Sequence, residues 1–150
     1  MVFKNATPIA KGKIASAQRG RIVTASIANH ILIVDDDPSL RRMLARSLRL
    51  SGFTSSEASD GNAALQVAQD AHPAAVLLDL MMPGESGLAV LERLRGVGVT
   101  APVVILSGND EADTREAVAQ SSANAYFVKP VAVMDLIERL RALLAIKGGG

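Results

Sequence analysis

The chain has no cysteine and no tryptophan. Disulfides, thiolate metal sites and a cysteine nucleophile are therefore excluded, and the absence fits a reducing compartment. Its two histidines, His30 and His72, are isolated in sequence, so no zinc spacing and no nucleophilic triad can be drawn from them. No run of about 18 apolar residues occurs, which leaves nothing to read as a membrane span. Neither a GxGxxG nor a GxxxxGK stretch is present, so dinucleotide and P-loop chemistry have no support.

What is there is enough for one domain: 150 residues, 49% of them apolar. The charge is uneven. Residues 1–30 carry Lys4, Lys11, Lys13, Arg19 and Arg21 and no acid, whereas the rest carries 11 basic and 15 acidic residues, a net of −4. Residues 1–29 lack periodicity and read as a basic, disordered extension. Three roles fit that composition: binding an acidic surface or nucleic acid, targeting, or an over-extended start with initiation near Val23. The last is preferred. With Phe3 as the extension's one aromatic residue, no stacking platform exists, and any nucleic-acid binding is expected to be weak and salt-sensitive.

The folded part is expected over 30–147, with 148–150 a loose end. Ala75 to Leu78 is an uninterrupted apolar run that ends in Asp79 and then turns at Pro83-Gly84. Such a run predicts a strand buried on both faces. Ile31 to Val34 repeats the pattern and ends in Asp35-Asp36-Asp37. Val103 to Leu106 ends in Ser107, and Ala125 to Val128 ends in Lys129-Pro130. Phe53 to Ala58 reads as a further short strand. Between them lie helical patterns: Pro38 to Gly52 with Asp37 as its cap, Gly61 to Ala71, Leu88 to Leu94, Glu111 to Ser121 and Val133 to Ile146. In the first, Leu40, Met43, Leu44 and Leu48 read inward, and Arg41, Arg42, Arg46 and Arg49 outward. Strands alternating with helices predict a parallel sheet covered on both faces by right-handed crossovers.

In such a sheet Asp35/Asp36, Asp79, Ser107 and Lys129 share one edge, where ligands bind. Any one of them alone is a helix cap or a solvated charge; all four at one edge point to a site. Crowded carboxylates repel, so a cation must compensate. Oxygen ligands without His or Cys suit Mg²⁺, and Lys129 supplies a fixed second charge. A carboxylate flanked by Mg²⁺, a lysine and a hydroxyl is suited to accept a phosphoryl group.

The stretches ILIVDDDPSLRRML, VLLDLMMPGESG, VVILSGND and YFVKP, in that order and spacing, resemble the receiver domain of two-component response regulators over about residues 30–147. The resemblance implies a flavodoxin-like, doubly wound α/β fold, with a five-stranded parallel sheet in order 2-1-3-4-5 and five helices on its two faces. It implies that Asp79 takes phosphate from a phosphohistidine on a sensor histidine kinase or phosphotransfer protein, in the cytoplasm. Asp35 and Asp36 match the acidic pair that holds Mg²⁺ with Asp79, and Met81 matches the position whose backbone carbonyl joins them. Ser107 matches the hydroxyl that bonds the phosphoryl group, Tyr126 the aromatic that moves with it, and Lys129 the lysine before a cis peptide to Pro130. Ser122 departs from the family, which often has glycine there to stop the fourth helix.

The leading reading is a stand-alone receiver that switches a protein-interaction face, its output partner unknown. The alternative is the receiver of a larger DNA-binding regulator or hybrid kinase. A phosphatase acting through an aspartyl-phosphate needs a general acid two residues after the nucleophile, and Met81 cannot transfer a proton. The fourth helix, with few apolar anchors, is the expected moving part, its start held by Asp110 and Asp113.

Overall fold

The computed structural model describes residues 27–149. Five strands, β1 (Ile27–Val34), β2 (Thr54–Ala58), β3 (Pro73–Asp79), β4 (Val103–Ser107) and β5 (Ala125–Val128), alternate with five helices. These are α1 (Pro38–Leu50), α2 (Gly61–Ala71), α3 (Gly87–Gly96), α4 (Ala112–Ala119) and α5 (Val133–Gly149). The sheet order is β2-β1-β3-β4-β5 and every neighbouring pair is parallel. The doubly wound, flavodoxin-like architecture expected from the sequence is borne out. A small antiparallel pair, Met81–Met82 with Glu85–Ser86, closes the turn at Pro83-Gly84 after β3.

Continuous apolar strands fill both layers because successive side chains point to opposite faces. Leu32, Val34, Val76, Leu78, Val103 and Ile105 pack in one core layer with Ala64 and Ala68 of α2 and Val90, Leu91 and Leu94 of α3. Ile31, Ile33, Ala75, Leu77, Val104 and Leu106 form the other with Leu44 and Leu48 of α1 and Leu136, Ile137 and Leu140 of α5. Register then aligns the carboxyl ends: Val34 lies opposite Leu78, Asp79 opposite Leu106, and Ser107 opposite Val128.

Local chemistry sets most boundaries. Asp37 Oδ1 accepts from the Ser39 and Leu40 amides at the start of α1, with Pro38 in the first turn. Past its end, Gly52 takes φ +94, the left-handed backbone that favours glycine. Asp60 caps α2 through the Ala63 amide, and Ser86 caps α3 through the Ala89 amide. Asp79 is therefore no helix cap.

Several boundaries differ from the sequence reading. β1 starts at Ile27, not His30, because side chains tie its entrance to its neighbours: Asn29 Nδ2 donates to Gly52 O, and the His30 ring bonds the Thr54 and Ser56 hydroxyls. The readings placed on residues 1–26 lie outside the described residues. α5 runs to Gly149, past Ile146, as helical propagation carries the backbone on from Leu144, which packs against the core. On α1, Met43 is 40% exposed rather than inward. α4 is shorter than expected at both ends. Neither Asp110 nor Asp113 caps it; Asn109 Oδ1 accepts the Glu111 amide instead, and Asp110 pairs with Arg115. At its far end no left-handed residue is used. The Ser121 hydroxyl donates to Val118 O and accepts from the Ala123 amide, which satisfies the terminal groups. Ser122 lies beyond the helix and is held by Arg95, whose guanidinium donates to Ser122 Oγ and O and to the carbonyls of Val99 and Ala101.

Candidate functional site

The site stands on three buried polar residues at the carboxyl edge of the sheet: Asp35 (1% exposed), Asp79 (2%) and Ser107 (0%). Each closes or follows an apolar strand that sequence periodicity defines, so the backbone delivers them to one edge. Lys129 joins them from the end of β5. Its Nζ lies 2.9 Å from Asp35 Oδ2 and 3.2 Å from Asp79 Oδ1. The peptide from Lys129 to Pro130 is cis, as expected, and the Lys129 amide donates to Ser107 O at 2.7 Å.

Each Asp35 oxygen has a partner. Oδ1 accepts from the Asp37 amide at 2.8 Å, Oδ2 from Lys129, and the backbone carbonyl from Arg41 Nη1 at 2.6 Å. Asp79 is held on one side only: Oδ1 accepts the Met81 amide at 3.2 Å, and among the described residues no hydrogen-bond donor reaches Oδ2. That leaves one carboxylate oxygen for chemistry. The Met81 side chain itself is 64% exposed.

Burial pushes the Asp79 carboxyl above its ordinary pKa, and the Asp35 charge adds to this; the Met81 amide and Lys129 oppose it. Lys129 shows the opposite balance. Burial pulls its ammonium down, but hydrogen bonds and charge from Asp35 and Asp79 together hold it above its usual value.

Carboxylate oxygens of Asp35, Asp36 and Asp79 all lie within 4.8 Å of one another. Three acids against one lysine leave the pocket short of positive charge, and its donor atoms are hard oxygens. Those features fit a small divalent cation such as Mg²⁺, held by Asp35, Asp36 and Asp79.

Ser107 sits at the adjacent strand end, but its hydroxyl is turned to its own loop. Oγ accepts from the Asn109 amide and donates to the Asn109 carbonyl, both at 3.0 Å. The Tyr126 hydroxyl donates to that same carbonyl. Ser107 and Tyr126 thus share one acceptor, and Tyr126 packs half-buried against the α2/α3 core layer.

Two residues of the site escaped the sequence reading. Arg41, assigned to the outward face of α1, is 17% exposed and bonds Asp35 and Glu57. Its spacing carried the signal: positions 41, 44 and 48 recur on one helical face, and Leu44 and Leu48 are both buried. Gly87 is the second. A Cβ there would collide with the Asp79 carbonyl oxygen and sit 2.8 Å from Leu80 Cα. The start of α3 therefore presses against the backbone that carries Asp79.

Among the described residues no helix is long and apolar enough to cross a membrane. The family described as the response regulator receiver domain matches residues 31–141. The transcriptional regulatory protein PrrA of Mycobacterium leprae is 41% identical over 118 residues, which cover 79% of this chain and 51% of PrrA. The response regulator MprA of Mycobacterium tuberculosis is 41% identical over 114 residues, 76% of this chain and 50% of MprA. The chain thus spans about half the length of these curated relatives. Among solved structures, the receiver domain of the Francisella response regulator 1452 superposes with a TM-score of 0.75 at 27% identity, covering 79% of this chain and 98% of that one. The chemotaxis protein CheY4 of Vibrio cholerae shares the fold at 24% identity and a TM-score of 0.72, covering 80% and 99% of the two chains. With its strand order, its acidic edge and its lysine in place, this chain belongs to the receiver domains of two-component response regulators.

Proposed function

We propose that Asp79 accepts a phosphoryl group from a phosphohistidine on a sensor histidine kinase or phosphotransfer protein, and that this sets a protein-interaction face. The observation that carries the reading is the state of Asp79. It is buried at a strand end, held through one oxygen, flanked by Lys129 and two further acids, and meets no hydrogen-bond donor at Oδ2 among the described residues. In the transfer, Oδ2 forms a bond to phosphorus as the bond from phosphorus to the imidazole nitrogen breaks, and the imidazole leaves with the electron pair. Lys129 is placed to neutralise a phosphoryl oxygen, and the Ser107 hydroxyl can leave Asn109 to donate to another. Mg²⁺, when bound, supplies the charge neutralisation that three clustered acids need before an anion can approach. Chemistry is confined to the chain's own aspartyl phosphorylation and dephosphorylation; it is not an enzyme on other substrates. Met81, two residues past Asp79, offers no general acid for rapid phosphatase turnover.

The exposed arginines of α1, Arg42, Arg46 and Arg49, form the docking face for the phosphodonor. A cytoplasmic location follows from that partner. The output is open between two readings: a stand-alone module, or the receiver of a larger DNA-binding regulator. The second is favoured by the length and printed name of the transcriptional regulatory protein PrrA, of which the matched region is about half.

The test is intact-mass measurement after incubation with a small phosphodonor. One phosphoryl group should be added, only with Mg²⁺ present, and none in Asp79→Asn. Undiminished labelling of that variant would overturn the assignment.

A further inference from the structure

We propose that Arg41 is a positioning residue of the acidic pocket: it fixes the peptide that joins Asp35 to Asp36, and through that peptide sets how tightly Mg²⁺ is held. The inference rests on the reading of the pocket given above.

The carbonyl that Arg41 Nη1 reaches, at 2.6 Å, belongs to the Asp35–Asp36 peptide. A donor on that oxygen selects the rotation of the peptide plane, and the plane sets the direction in which Asp36 leaves the strand. The guanidinium is itself anchored, with Nε 3.0 Å from Glu57 Oε1. On the other side of Asp35, its amide donates to Ala58 O at 3.1 Å. The end of β2 therefore brackets Asp35 twice, once through Ala58 directly and once through Glu57 and Arg41.

Asp36 needs this bracket more than its neighbours do. The Asp35 carboxylate is held at both oxygens and buried, and Asp79 is held at one. Asp36 is exposed, and among the described residues its carboxylate has no hydrogen-bond partner. Repulsion from two acids within 4.8 Å favours its swinging out to water, so its aim depends on the backbone beneath it. Glu57 offsets the Arg41 charge, so orientation rather than field is the contribution. Partners that orient ligands from behind change metal affinity without touching the metal. Arg42, Arg46 and Arg49 are exposed and lack this role. A pair that merely stapled α1 to β2 would move the melting temperature and leave metal affinity alone.

The experiment titrates Mg²⁺ alone into the full chain, alongside thermal melts and small-donor labelling across Mg²⁺ concentrations. Arg41→Ala should weaken Mg²⁺ binding about tenfold, and Glu57→Ala, which removes the anchor together with its charge, about threefold. Labelling of Arg41→Ala should fall at low Mg²⁺ and return to the wild-type rate at saturation. Arg139→Ala, at an exposed arginine of α5, should match wild type throughout. If wild type neither binds Mg²⁺ nor takes phosphate, the reading of the pocket itself fails. If wild type does both and Arg41→Ala binds Mg²⁺ within twofold of it, only the present inference falls, whatever happens to the melting temperature. Should Arg41→Ala not fold, Glu57→Ala decides, and unchanged Mg²⁺ affinity there overturns the inference.

Discussion

Lys129 donates to Asp35 across 94 residues of chain, so the end of the last strand neutralises an acid at the end of the first. Asp35 is 1% exposed and water cannot take the lysine's place. Lys129→Ala should cost about 2 kcal/mol in urea unfolding at pH 7 without Mg²⁺, because a buried charge loses its partner. Added Mg²⁺ should then stabilise the variant more than wild type, since the metal binds only the folded pocket and now meets less competing charge. Equal responses to Mg²⁺ would show that lysine and metal do not share this task.

Asp79 gives a pH dependence of known sign. Its folded pKa is raised above the ordinary value of 3.8, mainly by burial. A raised carboxyl contributes stability that is fully present below the unfolded value and is lost as pH rises through the folded value. In metal-free buffer Asp79→Asn should therefore melt above wild type at pH 7, and the gap should close as pH falls toward 3.8. A gap that does not change with pH would assign the gain to packing.

Gly87→Ala should destabilise the domain by about 1–3 kcal/mol, the usual range for forcing extra volume into packed structure. Its Cβ would press on the backbone of Asp79 and Leu80, so labelling by a small donor should slow as well. Gly96→Ala is the control: nothing lies within 4 Å of its Cβ, and helix propensity favours alanine. Similar urea midpoints for the two variants would remove the steric account.

Hydrogen exchange with and without beryllofluoride, a phosphoryl mimic, should change most over residues 107–127. Ser107 and Tyr126 both donate to the Asn109 carbonyl, so turning the serine toward Asp79 rearranges the entrance to α4. α4 buries only Val118 and has no side-chain cap on its first residue, which places it among the less stable elements. Protection that changes only around Asp35 and Asp79 would rule α4 out as the moving part.

The strands and their polar ends were legible in the sequence because each is an apolar run broken by one chemical residue. Ile31 to Val34 and Ala75 to Leu78 read as doubly buried strands, being short and closed by polar or turn residues, and the topology then brought Asp35, Asp79, Ser107 and Lys129 to one edge. Arg41 was misjudged because charge suggests solvent, whereas its partner is a backbone carbonyl that no composition rule reveals. The start of α4 failed for another reason. Asp110 and Asp113 were read as its caps, but Asn109 is of equal capping type within the same five positions, and residue type alone does not rank the three. The first residues of β1 needed the tertiary bonds of Asn29 and His30.

Arg95 gives α4 unequal ends. Beyond the helix, Ser122 is fastened by its hydroxyl and its carbonyl to a guanidinium that also grips the loop before β4. In front of it, Asn109 is held by hydroxyls that can rotate away. A disturbance starting at Ser107 therefore meets a rod pivoted at its far end. Over eight residues, about 12 Å of helix, any displacement should then be greatest beside Glu111 and fade toward Gln120. A protein that gripped the Glu111 end would feel a tilt, and one that gripped the Ser122 end would feel almost nothing.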